Sequence, residues 1–174
     1  MRLISPPLIR REQIQKKVSE LAKEICRTIK IENLYVIVIL KGAIFFASDL
    51  LRELPPIYSL DFIKAESYQG CSSSGEVRIT DCHISKIEDK QVLLIEDILD
   101  TGLTTQKIYN CLIEHSPKDI RLCVLLEKKK SREGVTVLSD YVGFFIEDKF
   151  VVGYGMDYDG KYRNLPDIHI FEPW

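Results

Sequence analysis

Leu34 to Leu40 reads LYVIVIL, seven apolar residues in succession, most of them β-branched or aromatic. A half-buried strand would alternate apolar with polar residues, so an unbroken run this short is the pattern of a strand covered on both faces. QVLLIED (Gln91 to Asp97) and IRLCVLL (Ile120 to Leu126) have the same look, and Tyr141 to Ile146 supplies another strand. Helical patterns separate them. Residues Arg11 to Ile29 place Ile14, Val18, Leu21, Ile25 and Ile29 at spacings of four, three, four and four, Ala43 to Glu53 resumes a helical pattern, and Leu103 to His115 forms another. Buried strands alternating with helices predict an α/β fold with a mainly parallel central sheet flanked by helices.

One segment breaks the alternation. Ile57 to Glu66 and Glu76 to Asp81 read as strands, while Ser67 to Gly75, SYQGCSSSG, is made of turn formers and small polar residues. A long tip on a hairpin is the composition of a flap, although composition alone fits an inert loop equally well. With 174 residues, no internal repeat and no Gly/Ser-rich linker, residues 1–174 are expected to form a single domain.

Whole-chain properties exclude several function classes. No apolar run approaches the roughly 18 residues of a membrane span, and the N-terminus lacks the apolar core of a signal peptide. Five scattered cysteines without a C-x-x-C pair argue against a disulfide framework or a zinc site and for a reducing, cytoplasmic location. A formal net charge of -2 gives no basic excess for general nucleic-acid binding. A polyanion would have to be held by local positive groups, backbone N–H groups and a metal ion.

The chemistry concentrates in Glu96 to Thr105, EDILDTGLTT, three carboxylates within five residues followed by small and hydroxyl residues. The segment lies between a buried strand and a helix, at the strand end where α/β sheets bind ligands. The first N–H groups of that helix, with its positive dipole end, suit a phosphate; Gly102 allows close approach and Thr101, Thr104 and Thr105 add hydroxyls. Ionised carboxylates only accept hydrogen bonds, so Glu96 and Asp97 suit a sugar diol or a metal ion. Neighbouring strand residues point to opposite faces, so both reach one ligand only if the chain leaves strand geometry there. Asp100, left between diol and phosphate, is placed to be a general base facing the anomeric centre. D-T-G is also an aspartic-protease signature, but that reading requires an all-β sequence.

VLLIEDILDTGLTT closely resembles the phosphoribosyl-pyrophosphate (PRPP) signature of the type I phosphoribosyltransferases, in which four apolar residues and two acids precede D-T-G-x-T. Further blocks resemble the hypoxanthine-guanine branch of that family, in the expected order. LKGAIFFASDLL is similar to its first active-site loop, which implies a cis Leu40–Lys41 peptide and pyrophosphate contacts from Leu40, Lys41 and Gly42. SYQGCSSSGEVRI resembles its mobile flap with the Ser67–Tyr68 pair. FFIEDKFVVGYGMDYDGKYRNLPDI resembles its purine block, departing from it at Glu147, a position often held by Pro.

The resemblance implies the type I fold with a β-hairpin flap and a small hood. It puts the ribose diol at Glu96 and Asp97 and the 5'-phosphate on the loop Asp100, Thr101, Gly102, Leu103, Thr104 and Thr105. Leu103 adds no charge, so N–H groups and hydroxyls would hold that phosphate. Phe150 would stack on the purine, the Val151 backbone would read its edge, and Arg163 would bind pyrophosphate. Asp157 would lie near both purine and Mg2+, with Glu96 and Asp97 the other candidate metal ligands. A lysine donating to purine O6 would be Lys128 by its position after Leu-Leu-x, whereas spacing back from Phe150 favours Lys129.

The activity implied is Mg2+-dependent transfer from PRPP to hypoxanthine or guanine, giving IMP or GMP and pyrophosphate. Asp100 would accept the N7 proton. A homodimer or homotetramer is implied, with no nucleic-acid or membrane partner. Two rivals are an RNA-binding regulator of the same fold and a PRPP-sensing repressor. The first wants a basic surface, and the second an added DNA-binding module.

Overall fold

The computed structural model describes residues 2–56, 59–67, 77–80, 87–130 and 134–172. A short strand β1 (Arg2–Leu3) precedes helix α1 (Arg11–Thr28), which buries Ile14, Val18, Leu21 and Ile25 as their spacing requires. Two side chains satisfy the N–H groups at its start: Arg10 N–H donates to Gln13 Oε1 of the helix's own first turn (2.9 Å), and Arg11 N–H donates to the distant Asp167 Oδ1 (2.7 Å). Strand β2 (Leu34–Leu40) leads into α2 (Ile44–Glu53), then into the hairpin strands β3 (Ser59–Ser67) and β4 (Val77–Thr80). Strand β5 (Gln91–Leu99), helix α3 (Leu103–Ile113), β6 (Asp119–Lys128) and β7 (Tyr141–Ile146) follow. The short strands β8 (Val151–Val152) and β9 (His169–Glu172) complete the series.

The main sheet has the order β4-β3-β2-β5-β6-β7, parallel throughout except for β4. Its central strands are buried on both faces, as their unbroken apolar runs require. Val36, Val38, Leu93 and Ile95 pack under α1 and α2, while Ile37, Ile39, Leu94 and Val124 pack with Ile108 and Leu112 of α3. Full burial of each such side chain stabilises the fold by about 1.5–3 kcal/mol. From β2 the chain steps outward to β3, and from β5 it steps the other way to β6 and β7. The carboxyl ends of β2 and β5 therefore sit side by side where the strand order reverses, the place where open α/β sheets take ligands.

A second sheet, β1-β9-β8, is antiparallel and forms the hood. Tyr154 ties it to α2 by donating its hydroxyl to Asp49 Oδ2 (2.6 Å).

One difference from the sequence reading matters. Strand β5 does not stop at Asp97 but runs to Leu99, in constant register with β6 from Gln91↔Asp119 to Leu99↔Glu127. Of the flap, the antiparallel β3–β4 pairing is described, whereas Tyr68 and the remaining tip residues to Gly75 lie outside the described residues, as do Ile57, Tyr58, Glu76 and Asp81. Among the described residues no helix is long and apolar enough to cross a membrane.

Candidate active site

A cleft of about 810 Å³ opens over the carboxyl ends of β2, β5 and β6, with the segment after β7 forming its far wall. Its floor is built by close backbone packing. The Leu40–Lys41 peptide is cis, and Gly42 follows it against Asp97: a Cβ on Gly42 would lie 1.9 Å from Asp97 Oδ2. On the other side Gly155, at φ +105, abuts the same turn, where a Cβ would come within 2.0 Å of the Gly42 carbonyl oxygen. A side chain at Gly155 would displace the turn, and one at Gly42 would push aside the Asp97 carboxylate.

The acid pair is divided between the two faces of the sheet. Glu96 turns to the α3 face, where Thr105 meets it, and Asp97 turns to the other face, against the Gly42 turn that leads into α2. Regular alternation breaks directly after the pair, since Ile98 packs with Leu93 and Ile95 while Leu99 packs with Leu94, and both acids border the cleft. Glu96 is 7% exposed and accepts a hydrogen bond from the Thr105 hydroxyl at 2.5 Å. Burial, with the Asp97 charge behind it, pushes its pKa up to about 8 against the opposing effect of Thr105. Asp97 is raised by burial to about 6, its own N–H, that of Ile98 and Arg163 limiting the rise.

The segment after β5 makes the helix start that the sequence suggested. Gly102 caps α3 in the left-handed region, and the Gln106 N–H is the one that closes back on the Gly102 carbonyl (2.8 Å). The N–H groups of Leu103, Thr104 and Thr105 thus stand at the helix N-terminus, with the Leu103 N–H at 3.5 Å from Thr101 Oγ1. Thr104 borders the cleft. Thr105 departs from the expectation for its hydroxyl: the residue is 2% exposed and its side chain is committed to Glu96, which leaves its N–H for a ligand.

Four alternating charges line the opposite rim. Lys128 Nζ donates to Asp100 Oδ2 (2.8 Å) and Asp148 Oδ1 (2.9 Å), and Lys130 also pairs with Asp100. Burial raises the Asp100 pKa, but the bonds from Lys128 and Lys130 outweigh it and hold the carboxyl below its usual range. For Lys128 burial acts downward, and the two carboxylates hold its ammonium above the usual lysine value. Lys129 points elsewhere, to Glu147 at 3.3 Å, so of the two it is Lys128 that borders the cleft.

Phe150 stands beside it, half exposed, with Tyr158 edge-on at 6.0 Å between ring centres. A core ring would be buried; this one presents a flat apolar face. Val151 next to it is buried and paired to Ile170. Arg163 donates to the Gly155 carbonyl (2.6 Å) and pairs with Asp157 (2.5 Å), whose other oxygen accepts the Gly160 N–H (2.7 Å).

The expected metal trio does not assemble as one cage. Among the described residues no three His, Cys, Asp or Glu side chains converge on a point, because Glu96 lies on the α3 face. Asp97 and Asp157, close enough to influence one another, remain as hard oxygen donors. That set fits Mg2+, which takes one or two protein carboxylates and completes its shell with water and substrate phosphates.

Sequence reasoning passed over Lys130, Asp148, Gly155 and Tyr158. Lys130 lay in a charged run that reads as a solvated turn. Gly155 was the one with a signal, since Gly-Tyr-Gly places two backbone-permissive residues close to the purine block.

Comparison with known proteins gives concordant results. Residues 9–159 match the family model for the phosphoribosyl transferase domain. A hypoxanthine-guanine phosphoribosyltransferase of Aquifex aeolicus is 42% identical, over 95% of this chain and 93% of its own length. A hypoxanthine-guanine-xanthine phosphoribosyltransferase of Tritrichomonas foetus is 38% identical, over 95% of this chain and 90% of its own. The crystal structure of a hypoxanthine-guanine phosphoribosyltransferase from Bacillus anthracis superimposes with a TM-score of 0.88 at 42% identity, covering 97% of this chain and 99% of that one.

Proposed function

This chain belongs to the phosphoribosyltransferase family, among the hypoxanthine-guanine phosphoribosyltransferases, and from that premise we propose that it salvages hypoxanthine and guanine with PRPP, forming IMP or GMP and pyrophosphate. The observation that carries the reading is a single cleft bordered by Thr104 in the first turn of α3, by Phe150 and Lys128, and by Asp97, Gly42 and Arg163. A sugar phosphate and a purine placed there would meet at Asp100.

Each group has a task that its chemistry supports. The N–H groups of Leu103 to Thr105 hold the 5'-phosphate, aided by the helix dipole. Glu96 and Asp97 accept from the ribose hydroxyls, one from each face of β5. Arg163 and the Lys41–Gly42 backbone bind pyrophosphate, and Asp97 and Asp157 would hold Mg2+. Bound there, the ion would neutralise charge building on the leaving pyrophosphate. Phe150 stacks on the purine, the Val151 backbone reads its edge, and Lys128 donates to O6. The N9–C1' bond forms as the bond from C1' to pyrophosphate breaks, and the N7 proton passes to Asp100. Two ammonium partners keep Asp100 ionised at neutral pH, so it can accept that proton. The flap with Ser67 and Tyr68 would close over the reacting carbon and exclude water. The enzyme is read as cytoplasmic and as a homodimer or homotetramer.

Calorimetry with PRPP and Mg2+ tests the subsite order. Asp97→Asn is expected to weaken PRPP binding by at least about tenfold, the loss of one hydrogen bond to a charged acceptor. Unchanged affinity would remove Asp97 from the site.

A further inference from the structure

Of charged groups, the reaction as proposed requires only Lys128 and Asp100 on the purine side, yet the structure sets four charges together there. Lys128 touches Asp100 and Asp148 at 2.8 and 2.9 Å. Lys130 pairs with Asp100 as well and lies 3.5 Å from each oxygen of Asp148. Each ammonium thus meets both carboxylates, and each carboxylate meets both ammoniums.

The backbone explains why Lys130 takes this place and Lys129 does not. Lys129 N–H bonds to the Ile146 carbonyl (2.9 Å), continuing the β6–β7 pairing, and Lys130 N–H turns back to the Lys128 carbonyl (3.0 Å). Residues 128 and 130 therefore emerge on one side. Their side chains are 8% and 25% exposed, against 58% for Lys129.

We propose that Lys130 is a positioning residue for purine capture, a second ammonium on Asp100 and Asp148 that lets Lys128 divide its donors between those carboxylates and the purine. This rests on the purine-salvage reading. O6 and N7 lie side by side on one edge of a 6-oxopurine, so the base must draw Lys128 and Asp100 at once, and both are engaged in the ion-pair square. An ammonium has three N–H donors. If Lys130 were absent, Lys128 would balance more of the charge of Asp100 and Asp148, be held harder where it is and be less available to O6. With Lys130 present, Asp148 keeps a cation while Lys128 turns and Asp100 keeps one while it accepts the N7 proton.

Steady-state kinetics of Lys130→Met, Lys130→Arg and Lys129→Met test this, with IMP formation as the readout. For Lys130→Met the KM for hypoxanthine is expected to rise roughly three- to tenfold, as for a part-buried charge-assisted contact, while the KM for PRPP stays within about twofold. Lys130→Arg should restore the hypoxanthine KM, since a guanidinium can bond both carboxylates, and Lys129→Met should leave both constants at their wild-type values. If wild-type protein makes no IMP, the salvage reading falls and this role with it. If wild-type protein turns over, an unchanged hypoxanthine KM in Lys130→Met, an equal rise in both KM values, or failure of arginine to restore it overturns the Lys130 role alone.

Discussion

At the scale of single residues, the account turns on Asp100. Its carboxyl is held low by Lys128 and Lys130, and on the proposed mechanism it would meet the neutral purine charged and accept the N7 proton as N9 commits and N7 turns acidic. Asp100→Asn is expected to lower kcat by about 10²–10⁴ while leaving PRPP affinity near the wild-type value. Undiminished turnover would show that another group takes the proton. The residue types of this loop were legible because acids, glycine and threonines stand in one short stretch. The partner of Glu96 was not. A buried carboxylate left without a donor is costly, so it recruits the nearest hydroxyl, and Thr105 serves the fold where the sequence suggested it would serve the ligand. Lys128 and Lys129 could not be separated by spacing either; the β6–β7 pairing decides between them.

At the scale of elements, the lengths of strands and the contacts of turns decide the geometry of the site. The sequence marked the end of β5 at its first acids, because charge normally ends a buried strand. Here the pairing continues to Leu99, while Thr105 draws Glu96 to one face and the Gly42 turn holds Asp97 on the other. The cleft floor is set likewise by an element contact, the Lys41–Gly42 turn against Gly155, which no local pattern reveals since the two lie far apart in the chain. Gly155→Ala would put a methyl group 2.0 Å from the Gly42 carbonyl and a side chain at φ +105. Pyrophosphate inhibition is expected to weaken by about tenfold or more as the turn shifts, since small misplacements of positioning groups are costly. An unchanged inhibition constant would mean that the turn does not hold pyrophosphate.

For the molecule as a whole, the alternation of buried runs and amphipathic helices disclosed the parallel sheet and its covering layers. The hood was implied only by resemblance: its strands β1, β8 and β9 have two to four residues each, too short for any periodicity, and two of them pair across nearly the full chain length. The divided acids also mark global stability. Glu96 and Asp97 are raised to about 8 and about 6, so the folded protein keeps protons that the unfolded chain releases. Their stabilisation is complete below the ordinary carboxylate pKa and lost as pH rises to about 8, whereas Asp100 and Asp148, held low, change only in more acid solution. The melting temperature without added ligand should therefore fall between about pH 4.5 and pH 8, and Glu96→Gln should flatten that fall. A wild-type profile flat across that range would contradict the burial assigned to the pair. Whether one cleft joins a sugar phosphate to a 6-oxopurine is decided by pyrophosphate release with PRPP, Mg2+ and each of hypoxanthine, guanine, adenine and uracil. Release is expected with hypoxanthine and guanine and not with adenine or uracil; release with uracil or adenine alone, or with none of the four, would show that it does not.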